Sequence, residues 1–88
     1  MHTDEYEISL GREVVVCRSF VKRLKKAIEA REKKHGMTTE AFIMGFEEGR
    51  HAGPDRDFPD WHRDHRELQI WQKRLGEYEE AIRSLKDA

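Results

Sequence analysis

Residues 10 to 36 read LGREVVVCRSFVKRLKKAIEAREKKHG, and their spacing decides the fold. Leu10, Val14, Cys17, Val21, Leu24, Ile28 and Arg31 step by fours and threes in alternation, the seam of a helix that packs lengthwise on another helix. One long helix is therefore expected over about 9–35. Ser9 is placed to cap its start by accepting a bond from an unpaired backbone N–H, and Gly36 to end it in the left-handed conformation. A competing reading covers residues 5 to 16. There Tyr6, Ile8 and Leu10, then Val14 and Val16, alternate around Gly11, and three consecutive valines favour a strand, so an N-terminal β-hairpin is the minority alternative. Residues 1–8 are read as a flexible segment or a short strand.

Outward from this helix, Thr38 has the character of a cap for a second, short helix over about 38–48. Met37 and Phe42 are spaced for a hydrophobic staple, and Gly49 is a stop. GRHAGPDRDFP is a loop by composition. Pro59 suits the first turn of a third helix over about 59–86, with Asp57 or Asp60 bonding its free N–H groups. Trp61, His65, Leu68, Trp71, Leu75, Tyr78, Ile82 and Leu85 then mark a second long apolar stripe. The expected fold is all-α: a long antiparallel helix hairpin with a short helix at the elbow, residues 9–88 forming one domain.

Eighty-eight residues, 36% hydrophobic and 40% charged, give a thin core. With a single cysteine, neither an internal disulfide nor a four-cysteine zinc site can supply the missing stability, which leaves association as the available support. A homo-oligomer is therefore expected. The longest apolar run, Val14 to Cys17, is far short of a membrane span, and HTDEYE is no signal peptide. These features point to the cytoplasm, with Cys17 reduced.

The net charge of -1 hides an asymmetry. Residues 10–35 carry +6, residues 36–88 carry -4 and residues 1–9 carry -3. Such segments are expected to face each other, the positive flank of helix 1 lying beside Glu67, Glu77, Glu79 and Glu80. The rival is nucleic-acid binding by Lys22, Lys25, Lys26, Lys33 and Lys34, a weak signal without aromatic platforms or a helix-turn-helix pattern.

His51, Asp55, Asp57, Asp60, His62, Asp64 and His65 crowd the elbow, yet His62 and His65 lack the glutamate of an HExxH metal motif. His65 falls on the apolar seam, where it reads as a core residue bonded to a neighbouring helix. The elbow is read as capping chemistry, with no metal and no cofactor. Cys17 on the seam reads as an inert buried thiol, no serine stands in a GxSxG context, and no glycine loop suits a phosphate. The chain is thus expected to be non-enzymatic. Val15, Phe20, Ile70 and Trp71 widen the apolar faces beyond the two seams and are the candidate protein-binding residues.

The run REKKHGMTTEAFIMGFEEG, followed by DFPDWHRDHRELQIWQKRL and EYEEAI, resembles small bacterial and archaeal helical proteins with the pattern EKKYGMS-EEF---FE-G, a D-and-W element and a Leu/Glu-rich last helix. The resemblance spans roughly residues 31 to 85. Its most specific pieces are Gly36-Met37-Thr38, Phe42, Phe46-Glu47, Gly49 and Trp61. Many such proteins are encoded beside short toxin-like reading frames, so the resemblance implies an antitoxin or accessory role with a small toxin as partner. His35 replaces the usual tyrosine, and Arg50, His51 and Arg56 stand where acids are common.

Overall fold

The structure, a computed structural model, describes residues 5–87. Three helices follow in order: α1 (Glu5–His35), α2 (Thr39–Glu47) and α3 (Asp57–Asp87). The two long helices pack antiparallel with α2 set across one end, and the molecule measures 57 × 19 × 18 Å.

The seam of α1 is buried as its spacing requires: Leu10, Val14, Cys17, Val21, Leu24 and Ile28 all face inward. Of the three valines only Val14 is buried; packing of one stripe overrides the strand preference of the run. The N-terminal hairpin does not form. Residues 5–8 continue the helix, and Glu5 and Glu7 lie in its first turn, where carboxylates favour the positive end of the helix dipole. Ser9 is consequently an exposed residue inside α1 and not its cap. The first four residues of the segment read as 1–8 lie outside the described residues.

Gly36 ends α1 at φ 65°, donating its N–H to the Glu32 carbonyl at 2.9 Å. Thr38 then caps α2 in an extended conformation, its hydroxyl accepting the Ala41 N–H at 3.2 Å. Met37 packs against the cluster of Ile28, Phe42 and Trp61, as a staple requires. Gly49, at φ 82°, terminates α2.

The start of α3 differs from expectation. Asp55 accepts the Asp57 N–H at 2.9 Å, while the Asp57 carboxylate turns to α1, taking Lys34 Nζ at 2.6 Å and His35 Nε2 at 3.0 Å. Asp60 lies 3.4 Å from the Arg63 guanidinium instead of capping. The Lys34 ammonium and the His35 ring at the end of α1 together compete for Asp57 more effectively than a backbone N–H does. One turn further, the polar contact across the hairpin is made not by His65 but by Asp64, which is buried and meets Arg31 at 2.6 Å.

The two seams are unequally covered. Along α3 only Trp61 and Asp64 are buried; Leu68, Trp71, Leu75, Tyr78 and Ile82 remain half-buried, and Leu85 is exposed. No described helix is long and apolar enough to cross a membrane.

Candidate functional site

Midway along the hairpin, Phe20 of α1 and Trp71 of α3 stack face to face, with ring centroids 4.4 Å apart and planes 11° from parallel. The Arg23 guanidinium sits 4.6 Å from the centre of the Phe20 ring, and that of Arg74 5.0 Å from the Trp71 ring. Val16, one turn before Phe20, and Ile70, one turn before Arg74, each keep 42% of their surface exposed. These six residues form a flank in which apolar side chains are framed by arginines.

Two of the four residues singled out from sequence therefore cover each other: Phe20 and Trp71 are half-buried. Ile70 stands on the same flank. Val15 does not, although it is 65% exposed, because five residues separate it from Phe20 and turn it about 140° around the helix. Val16 takes its place, and the four-residue spacing to Phe20 is the signal that identifies it.

The elbow is a sealed aromatic stack. Trp61 and Phe42 lie parallel at 4.0 Å, and both are fully buried. The Trp61 indole N–H donates to the Thr39 hydroxyl at 3.2 Å; that hydroxyl and the Thr39 N–H both donate to one Glu32 carboxylate oxygen, at 2.7 and 2.8 Å. Histidines surround this stack. His35 leans on Phe58 and Trp61, His51 on Phe42 and Phe58, and His62 on Phe46.

Within the elbow, His35, Asp55 and Asp57 bring possible metal ligands within 4.8 Å of one another. The groups already have partners: Asp57 holds Lys34 and His35, and Asp55 holds the first N–H of α3. The Lys34 ammonium supplies the positive charge here. It holds the Asp57 carboxyl below the usual carboxylate range, and Asp57 in turn raises Lys34.

Cys17 is wholly buried. Burial pushes its thiol above the usual value and Glu13 adds to this, against a smaller opposite pull from Arg74. A thiol held neutral in this way is a poor nucleophile.

Lys22, Lys25, Lys26, Lys33 and Lys34 are all exposed. Lys34 is paired with Asp57 across the hairpin, and among the described residues the other four make no ion pair with α3. Of the four glutamates expected beside α1, only Glu79 pairs with it, through Arg18 at 2.9 Å. Glu80 turns to Arg83 on its own helix.

No family model matches the chain, and neither a curated protein nor a solved structure matches it.

Proposed function

We propose that this chain is a non-enzymatic protein-binding module whose working surface is the Phe20–Trp71 flank. The observation that carries this reading is the arginine-framed stack with Val16 and Ile70 exposed beside it. Tryptophan and arginine are the residue types that most often dominate binding energy, and lysine is depleted from interface cores. The half-buried seam of α3 adds apolar surface that a partner helix would cover. A reducing cytoplasm suits a chain whose single thiol is enclosed in its core. The resemblance to antitoxin-like proteins adds a partner class, a small toxin encoded by an adjoining reading frame, and a homo-oligomer of this chain is compatible with the same surface.

The test is co-expression with the product of the adjoining reading frame, followed by affinity measurements on the complex. Trp71→Ala is expected to weaken binding by about 2 kcal/mol or more, as a hot-spot residue does, while Lys33→Glu changes it little. No complex, or the reverse pattern, contradicts the reading.

A second reading, accessory nucleic-acid binding, draws on the four lysines without partners on α3. Contacts of that kind would be to phosphates and would fade as salt rises.

A further inference from the structure

The order of charges along the flank bears on what covers it. On α3, Arg63, Glu67, Ile70, Arg74 and Glu77 recur at spacings of four, three, four and three and so form one row. All five are exposed. Their signs run plus, minus, apolar, plus, minus. Read backwards, the same row is minus, plus, apolar, minus, plus, so a row laid antiparallel on a copy of itself about Ile70 sets every arginine against a glutamate. Arg63 then faces Glu77 of the copy and Glu67 faces Arg74.

The facing edge of α1 has the same property. Glu13, Phe20, Ala27 and Lys34 recur every seven residues. Inverted about the midpoint of Phe20 and Ala27, Glu13 meets Lys34 of the copy, and the large Phe20 ring meets the small Ala27. Lys34 keeps 64% of its side chain exposed even beside Asp57. Glu13 stands two turns before Phe20, Phe20 stacks on Trp71, and Arg74 lies over the Trp71 ring, which places the two rows along one edge of the hairpin.

A single two-fold axis must serve both rows, which is a strict condition. Phe20 stacks on Trp71 and Arg31 pairs with Asp64, so the α3 residue level with the midpoint of Phe20 and Ala27 lies within a turn of Ile70. The two centres of inversion therefore coincide along the hairpin.

The surface area agrees. A folded monomer of 10.5 kDa exposes about 5,400 Å² by the usual scaling, and this chain exposes 6425 Å². An elongated hairpin 57 Å long has this larger surface, ample for the roughly 800 Å² that each partner contributes to a standard stable interface.

We infer that the Phe20–Trp71 flank is covered by a second copy of this chain, related by a two-fold axis through Ile70, the two hairpins forming an antiparallel four-helix bundle. This rests on the protein-binding reading above and names the occupant of that surface. The balanced rim favours such a partner over nucleic acid, which would require one sign of charge.

Sedimentation equilibrium on the full chain is expected to show a monomer–dimer equilibrium. In a Cys17→Ala background, Ile70→Cys should cross-link to its own copy through a short bismaleimide, and Val15→Cys, on the other flank, should not. Glu67→Arg should weaken the dimer about tenfold by setting arginine against arginine, and adding Arg74→Glu should restore it. Helical circular dichroism on each variant separates loss of association from loss of fold. A chain that stays monomeric at millimolar concentration overturns the inference, and so does a dimer that cross-links through Val15 or is not rescued by the exchange. In the last two cases self-association remains while this interface is wrong. Failure of the protein-binding reading itself shows separately, as unchanged partner affinity in Trp71→Ala.

Discussion

The Trp61 indole lies parallel to the Phe42 ring, centroids 4.0 Å apart, and its N–H reaches the Thr39 hydroxyl that also binds Glu32. Residues of all three helices are thereby tied at one point: Glu32 of α1, Thr39 and Phe42 of α2, and Trp61 of α3. Phe42→Ala should cost about 3–5 kcal/mol, because the cavity opens in a fully buried part of a thin core. On a domain of this size that lowers the melting temperature by about 15 °C or more. Trp61→Phe keeps an aromatic partner but gives up the hydrogen bond, and should cost about 1–2 kcal/mol. Thermal melts of the two variants, read in that order, check the assignment.

The Arg31–Asp64 pair is partly enclosed, with side chains 18% and 12% exposed. Removing one partner strands the other charge, so Asp64→Ala should destabilise by about 2–3 kcal/mol, less than in a fully buried pair. The double replacement Arg31→Met with Asp64→Leu should recover most of that loss. Denaturant midpoints of the two variants provide the comparison, and equal losses would mean that the pair itself, not the stranded charge, sets the cost.

Most of the architecture was legible in the sequence because it depends on spacing alone. The 4-3 seam of α1, the Thr38 cap and the Gly36 and Gly49 stops all lie where local pattern put them. What spacing could not decide were choices between near-equivalent residues that only the third dimension separates. Asp57 and Asp60 are interchangeable caps by spacing until Lys34 and His35 are seen to claim Asp57, and the capping role passes to Asp55, which spacing did not single out. A step of three or of four from Trp61 chooses between Asp64 and His65, and Arg31 on the other helix makes the choice. Val15 and Val16 are equally apolar, but only the position of Trp71 reveals which one shares the flank of the Phe20–Trp71 stack.

Gly45 is the clearest case of a residue required by its neighbour. A β-carbon there would stand 2.6 Å from His51 Nε2. The His51 ring is held by its stacks on Phe42 and Phe58, so Gly45→Ala, which must push it aside, should destabilise by about 1 kcal/mol despite alanine's better helix propensity. In a His51→Ala background the clash is gone and the propensity remains, so the same substitution should become neutral or stabilising. A double-mutant cycle in urea measures the coupling directly.

The Lys34–Asp57 contact makes a defined contribution to the pH profile. The Asp57 carboxyl is lowered in the fold by Lys34 first and His35 second, so its stabilisation is present above the unfolded value of about 3.9 and is lost as pH falls through the lower folded value. Lys34 is raised, so its share is present below about 10.4 and is lost as pH rises through the higher folded value. The melting-temperature difference between wild type and Asp57→Asn should be level across neutral pH and close at both extremes. A difference that persists in strong acid would remove the ion pair as its cause.

The claim that the Phe20–Trp71 flank is the surface through which this protein works is tested most directly by amide and side-chain chemical shifts of the labelled chain, recorded from low micromolar to millimolar concentration. The account predicts concentration-dependent changes concentrated at Val16, Phe20, Arg23, Ile70, Trp71 and Arg74, the Trp71 indole N–H among the largest, with Val15 and Lys33 unmoved. Shifts that stay fixed on that flank at every concentration, while Lys22, Lys25, Lys26 and Lys33 respond to added duplex DNA at physiological salt, would contradict it.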